Sequence, residues 1–190
     1  MFTAIILIGP PGSGKSVCGQ AIARRLGWTF IDTDLEIVQA TGQTIPQLFQ
    51  TAGEAHFRKL ESAIIDRLSG DQWRLTGAEP GRVIATGGGM PVVPGNWERL
   101  AGIGPIICLT ALPQILLERL QTDGGRPLLA AAKPDSELTP ASRERVNQRL
   151  LQLLQERAHI YARAHYKIET SHLSPDQVAD QALKLLGIST

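Results

Sequence analysis

Hydrophobic positions along the chain fall into two periods. Short, nearly continuous apolar runs occur at "TAIILIG" (3–9), "RVIATGGG" (82–89) and "GPIICLT" (104–110). Runs of this length bounded by glycine predict strands buried on both faces of a parallel sheet. "WTFIDTD" (28–34) and "YKIET" (166–170) predict two more strands, the first ending in a pair of aspartates. Between them, apolar residues recur at helical spacing in "KSVCGQAIARRL" (15–26), across 35–68, in "LPQILLERLQ" (112–121) and in "RERVNQRLLQLLQERAHIYARA" (143–164). A last helix, "SPDQVADQALKLLG" (174–187), has Ser174 as its cap and Pro175 in its first turn. The 35–68 segment is expected to break near Thr41-Gly42 and again at Gly53. Alternating strands and helices predict an α/β domain of three layers, with helices on both faces of a five-stranded parallel sheet.

Residues 123–140 fit neither period. They are polar and rich in Pro and Ala, and too long for an ordinary connection, so a mobile lid is expected there. With 190 residues, a single domain spanning 1–190 has enough chain to bury its own core. Net charge is +1, with 19 basic and 18 acidic side chains and no basic stripe, which argues against nucleic acid as a partner. No apolar run approaches the ~18 residues needed to span a bilayer, and no secretory leader precedes the first strand. A soluble, cytoplasmic protein is expected. Cys18 and Cys108 are read as two buried free thiols. The four histidines show no metal-ligand spacing.

Candidate chemistry begins at Gly9-Pro10-Pro11-Gly12-Ser13-Gly14-Lys15-Ser16, which satisfies G-x-x-x-x-G-K-[ST] between an expected strand and helix. Glycines let backbone N–H groups turn inward around phosphate oxygens, and the helix that follows points its positive end at them. Lys15 supplies a charge at the β/γ-phosphates and the Ser16 hydroxyl can sit on Mg²⁺. Gly12, Ser13, Gly14, Lys15, Ser16 and Val17 are therefore expected at ATP. D-x-x-G and N-K-x-D are absent, which excludes a guanine-nucleotide switch.

The acceptor side is more dispersed. Asp32 and Asp34 are two apart, so on an extended strand both carboxylates would face one cavity. The alternative is that they cap the next helix. In "GEAHFRKLE" (53–61), Arg58 is either the partner of Glu61 three residues on or a fork for a substrate carboxylate. "TGGG" (86–89) lets a ligand approach backbone closely. Arg126, in "GGRPLL" of the expected lid, could swing onto a transferring phosphate. Arg157 and Tyr161 share one helix face.

These residues, from "LIGPPGSGKS" through "LGWTFIDTD", "GEAHFRKLE", "ATGGG" and "RPLL" to "ERAHIY", together resemble the shikimate kinase family over nearly the whole chain. The resemblance implies a fold of the nucleoside-monophosphate-kinase group and transfer of a phosphoryl group from ATP, with Mg²⁺, to the 3-hydroxyl of shikimate. It implies that Lys15 and Ser16 hold phosphates and metal, with Asp32 in the metal's outer shell. Asp34 would bind shikimate hydroxyls and act as base. Arg58 and Arg157 would clamp the shikimate carboxylate, while Gly88 and Gly89 offer N–H groups to the acceptor. Arg126 would close with the lid, Arg119 would lie against adenine, and a helical region at about 34–61 would hold the acceptor. It also suggests a monomer. Two departures stand out: residues 69–82 form a longer segment than a minimal member needs, and the tail "ETSHLSPDQV" has no arginine for a second adenine contact. Rivals are another metabolite kinase such as a gluconate kinase, a nucleoside monophosphate kinase, or a catalytically silent kinase-like regulatory module.

Overall fold

The computed structural model of the chain describes residues 2–70, 81–122 and 140–188. Five strands, β1 (Ala4–Ile8), β2 (Thr29–Asp32), β3 (Arg82–Ala85), β4 (Ile106–Thr110) and β5 (Tyr166–Glu169), form one parallel sheet in the order β2-β3-β1-β4-β5. β1 is therefore central, paired to β3 through Ile5↔Val83 and to β4 through Leu7↔Ile107. Its neighbours lie on opposite sides, so the chain leaving its carboxyl end enters the crevice where open α/β sheets bind ligands.

Every residue of β1 is buried, and its alternation sorts the core into two layers. Ala4, Ile6 and Ile8 face a cluster with Ile37, Phe57, Ile65, Leu100 and Tyr161. Ile5 and Leu7 face the other cluster, with Ile22, Val178, Ala182 and Leu183. The helices behind these faces are α1 (Lys15–Leu26) and α7 (Pro175–Leu185) on one side. On the other lie α2 (Thr33–Thr41), α3 (Ile45–Ser69), α4 (Asn96–Ile103) and α6 (Pro140–Ala162). A small third cluster joins α5 (Pro113–Thr122) to α6 through Leu116, Leu120 and Leu150. Three layers and five parallel strands are what the apolar runs imply.

Local signals explain most boundaries. Gly27 ends α1 in the left-handed conformation and its N–H reaches back to Ala23 and Arg24 carbonyls. Thr44 with Gln47, and Ser174 with Gln177, form reciprocal caps at the starts of α3 and α7. Gly53, at φ 76°, kinks α3 where a break was expected.

Two expectations are corrected. β2 stops at Asp32, and Asp34 lies in the first turn of α2, because the Asp32 side chain accepts the Asp34 N–H and turns the chain into a helix. α4 is a helix that the pattern above passes over. It has only eight residues between Gly95 and Gly104, too short for a clear periodic signal, and packs Trp97 and Leu100 into the core. The expected lid at 123–139, Arg126 within it, and residues 71–80 of the longer segment lie outside the described residues. Cys18 and Cys108 are buried free thiols, as expected, and burial pushes both up to about 11. Among the described residues no helix is long and apolar enough to cross a membrane.

Candidate active site

Two cavities open at the carboxyl end of the sheet. The smaller, about 300 Å³, is walled by the loop residues Gly12 to Ser16 with Val17, and by Arg119, Thr170, Leu173 and Pro175. The larger, about 410 Å³, takes in Asp32, Asp34, Arg58, Gly88, Gly89 and Arg157. Ser16 lines both. The two cavities therefore adjoin at the start of α1.

The loop between β1 and α1 is made chiefly of backbone, and its one long polar side chain is buried. The Lys15 ammonium donates to the carbonyls of Gly9 and Pro10, 3.0 Å each. These bonds hold it inside the curve of the loop, where a phosphate chain would need a cation. Ser16 Oγ donates to Asp32 Oδ2 at 2.6 Å, while Asp32 Oδ1 accepts the Asp34 N–H at 3.0 Å. A hydroxyl and a carboxylate are thereby juxtaposed at the junction of the cavities, and both are hard oxygen donors suited to magnesium.

The two aspartates do share a cavity, but not by strand alternation. Asp32 is the cap of α2 and Asp34 projects from that helix's first turn, where exposed N–H groups favour negative charge. Asp32 thus caps the helix, and both carboxylates line one cavity for a reason other than the expected strand alternation.

Arg58 makes the pair with Glu61 that its spacing allows, and it lines the same cavity. Its Nη1 donates to Glu61 Oε2 at 2.7 Å, and Glu54 Oε1 accepts from Nη2 at 2.7 Å and from Nε at 3.2 Å. A guanidinium has five N–H groups, so one on each terminal nitrogen is not used by the two glutamates. The ion pairs hold the fork in place rather than removing it from the site. Burial alone would lower the Arg58 pKa, but the two glutamates outweigh it and the net shift is upward.

Glu61 is the residue whose importance spacing alone did not reveal. It is fully buried, and burial pushes its carboxyl up to about 7 against the pull of Arg58. The nearby Asp34 pushes in the same direction as burial. Gly87 explains how the two carboxylates come together. A Cβ on Gly87 would stand 2.5 Å from Asp34 Oδ1 and 2.9 Å from Glu61 Oε1. A Cβ on Gly89 would stand 2.3 Å from Arg58 Nη1. At Gly88 there is more room, and its carbonyl accepts from Arg157 Nη1 at 2.8 Å. The glycine triplet is thus a surface against which Asp34, Glu61 and Arg58 are seated. Thr33 Oγ1 accepts the Gly87 N–H at 2.9 Å and fastens the triplet to the start of α2.

Arg157 is buried on α6, and Tyr161 is buried one turn further on. Burial raises the Tyr161 pKa, and Arg157 opposes that shift. Val38, Ile45, Phe49 and Phe57 from α2 and α3 give the larger cavity an apolar wall. No spacing rule singled these four out, because each also fits an ordinary helix face. Arg119, on α5, belongs to the smaller cavity. Its Nη1 donates to Thr170 Oγ1 at 3.0 Å and its Nη2 to the Thr170 carbonyl at 2.7 Å.

Comparison with known proteins identifies the family. The family model "Shikimate kinase" matches residues 11–187. A shikimate kinase of Thermodesulfovibrio yellowstonii is 36% identical over 180 residues, covering 95% of this chain and 92% of the relative. One from Synechococcus sp. (strain CC9902) is 38% identical over 184 residues, covering 96% and 85%. The solved structure of shikimate kinase from Acinetobacter baumannii in complex with shikimate superposes with a TM-score of 0.81 at 33% identity, covering 98% of this chain and 93% of that one. With a near-complete family match and relatives of this identity over this coverage, the chain belongs to the shikimate kinase family.

Proposed function

We propose that this chain, acting as one kinase domain, transfers the γ-phosphoryl group of ATP to the 3-hydroxyl of shikimate, giving shikimate 3-phosphate and ADP. The observation that carries the reading is the pair of cavities sharing Ser16, one made by a phosphate loop and the other by carboxylates, arginines and an apolar wall.

In this reading the loop N–H groups and Lys15 hold the β- and γ-phosphates. Arg58 and Arg157 take the shikimate carboxylate, a planar anion that suits a forked donor. Asp34 binds the ring hydroxyls and receives the proton of the attacking one. The freed oxygen lone pair forms the new bond to the γ-phosphorus, and the bond to the bridging β,γ-oxygen breaks with its electrons leaving on ADP. Gly88 and Gly89 present backbone to the acceptor, and Arg119 lies along the adenine. Arg126 would reach the transferring group from the segment outside the described residues. Because phosphoryl transfer is mainly positioning and charge stabilisation, fixed groups on both sides of the junction are what the reaction requires.

Ser16 and Asp32 fit magnesium, being adjacent oxygen donors beside the phosphate loop. Ser16 would bind the ion and Asp32 would accept from its water shell. The ion, when bound, supplies positive charge to the phosphate oxygens.

The acceptor wall also separates shikimate from gluconate. A cyclohexene ring presents carbon to Val38, Ile45, Phe49 and Phe57, whereas an open chain with a hydroxyl on every carbon beyond its carboxylate would leave hydroxyls against them. ADP release from Mg·ATP with shikimate, gluconate or a nucleoside monophosphate tests the reading directly. Turnover with shikimate alone is expected. Turnover with another acceptor overturns the assignment of the larger cavity, and ATP binding with no turnover favours a silent module.

A further inference from the structure

Thr170, the residue after β5, is 2% exposed, and its hydroxyl stands where three elements meet. Oγ1 lies 3.0 Å from the carbonyl of Thr110 at the end of β4 and 3.2 Å from the carbonyl of Ser13 in the phosphate loop. It also accepts from Arg119 Nη1 at 3.0 Å. The backbone joins the same junction, since the Thr170 N–H donates to the Thr110 carbonyl at 2.7 Å and the Thr170 carbonyl accepts from Arg119 Nη2 at 2.7 Å. A hydroxyl has one proton and two lone pairs. With a lone pair occupied by a cation, its proton is directed at the two carbonyls, and each bond strengthens the other.

We infer that Thr170 is a positioning residue of the nucleotide site, its hydroxyl holding the Arg119 guanidinium at a set distance from the phosphate loop. The inference rests on the smaller cavity being the ATP site. Lys15 and Arg119 are the charged side chains among the described residues that line that cavity, and Leu173 and Pro175 on its tail side carry no charge. Lys15 belongs to the phosphate end. The cation of the other end comes from α5, a different element from the loop, and Thr170 contacts both. Arg119 Nη1 also lies 3.4 Å from the Gly12 carbonyl, a longer contact than its bonds to Thr170. A nucleotide spanning both ends binds well only if their separation is fixed in advance.

The test separates the two ends. Dissociation constants of ATP and of inorganic tripolyphosphate are measured by calorimetry for the wild type, Thr170→Val and Thr170→Ser. Loss of a hydroxyl bonded to a charged group predicts roughly tenfold weaker ATP binding by Thr170→Val. Tripolyphosphate, which engages only the loop, should weaken less than about twofold on the same grounds. Thr170→Ser should restore ATP binding, and the KM for shikimate should not move. In an Arg119→Ala background, Thr170→Val should have no further effect on ATP, as expected for two groups acting through one contact. Thr170→Ala serves as the hydroxyl-free variant if valine prevents folding. Equal weakening of ATP and tripolyphosphate, additivity with Arg119→Ala, equal behaviour of the serine and valine variants, or no ATP binding by the wild type overturns the inference. Failure of shikimate to be phosphorylated while ATP binds sinks the acceptor reading and leaves this one intact.

Discussion

The two cavities are built by different means. The nucleotide side is mostly one contiguous loop whose backbone carries the recognition, with Lys15 folded back onto the carbonyls of Gly9 and Pro10. The acceptor side is assembled from α2, α3, α6 and the glycine triplet, and its recognition is carried by side chains. Arg58 is held by Glu54 and Glu61, and Asp34 and Arg58 stand where the bare Cα atoms of Gly87 and Gly89 leave them room. Backbone recognition is short-range in sequence and tolerant of change nearby. Side-chain recognition across distant segments depends on packing, so a single added methyl can displace it.

This contrast can be broken from either side. The largest expected effect is from Lys15→Ala, which removes the ammonium held inside the phosphate loop and should lower kcat by roughly 10²–10³-fold. Acceptor affinity should be preserved, because Lys15 does not line the larger cavity. Arg157→Ala should do the converse, raising the KM for shikimate with ATP affinity unchanged. Steady-state kinetics with each substrate varied in turn would check both, and a selective loss of ATP affinity in Arg157→Ala would remove that arginine from the acceptor clamp.

A subtler break is Gly87→Ala. The added Cβ cannot coexist with Asp34 and Glu61 where they stand, but both obstructing atoms are the ends of side chains that can swing away. The fold should survive while Asp34 is displaced, and a misplacement of about 1 Å is enough for a loss of order 10²-fold in kcat. The variant should retain wild-type ATP affinity by calorimetry. Wild-type turnover would show that the glycine triplet does not seat Asp34.

A last test reads stability rather than turnover, and concerns pH. Burial raises the Glu61 carboxyl to about 7 from its ordinary value of 4.5, so the folded protein holds a proton there that the unfolded chain has released. Between those values the folded state binds more protons, and this group's contribution to stability falls as pH rises. It is fully present below about 4.5 and lost by about 7. Glu61→Gln, which does not titrate, should therefore gain stability relative to the wild type across that interval and show a constant difference above it. Urea unfolding at a series of pH values would read this out; a pH-independent difference would mean that Glu61 is ionised throughout.

What could be read from the chain follows the same division. The loop is legible because its chemistry lies in consecutive residues, and β1, β3 and β4 are legible because strands buried on both faces leave unbroken apolar runs. Asp34, Arg58 and Arg157 could be singled out from their surroundings, but not how they are held. The capping bond from Asp32 that ends β2, and the eight residues of α4, turn on local geometry that periodicity does not carry.

By itself, then, the sequence determined the layer order of the domain, the phosphate site and the list of charged residues available to an acceptor. Those depend on local periodicity and on backbone chemistry within a few residues. Only the tertiary structure decided that Asp34 and Glu61 meet over Gly87, that Arg58 keeps donors to spare beside its two glutamates, and that Thr170 joins Arg119 to the loop. Each of those facts is a distance between segments far apart in the chain, fixed by close packing of the core, and no local pattern encodes it.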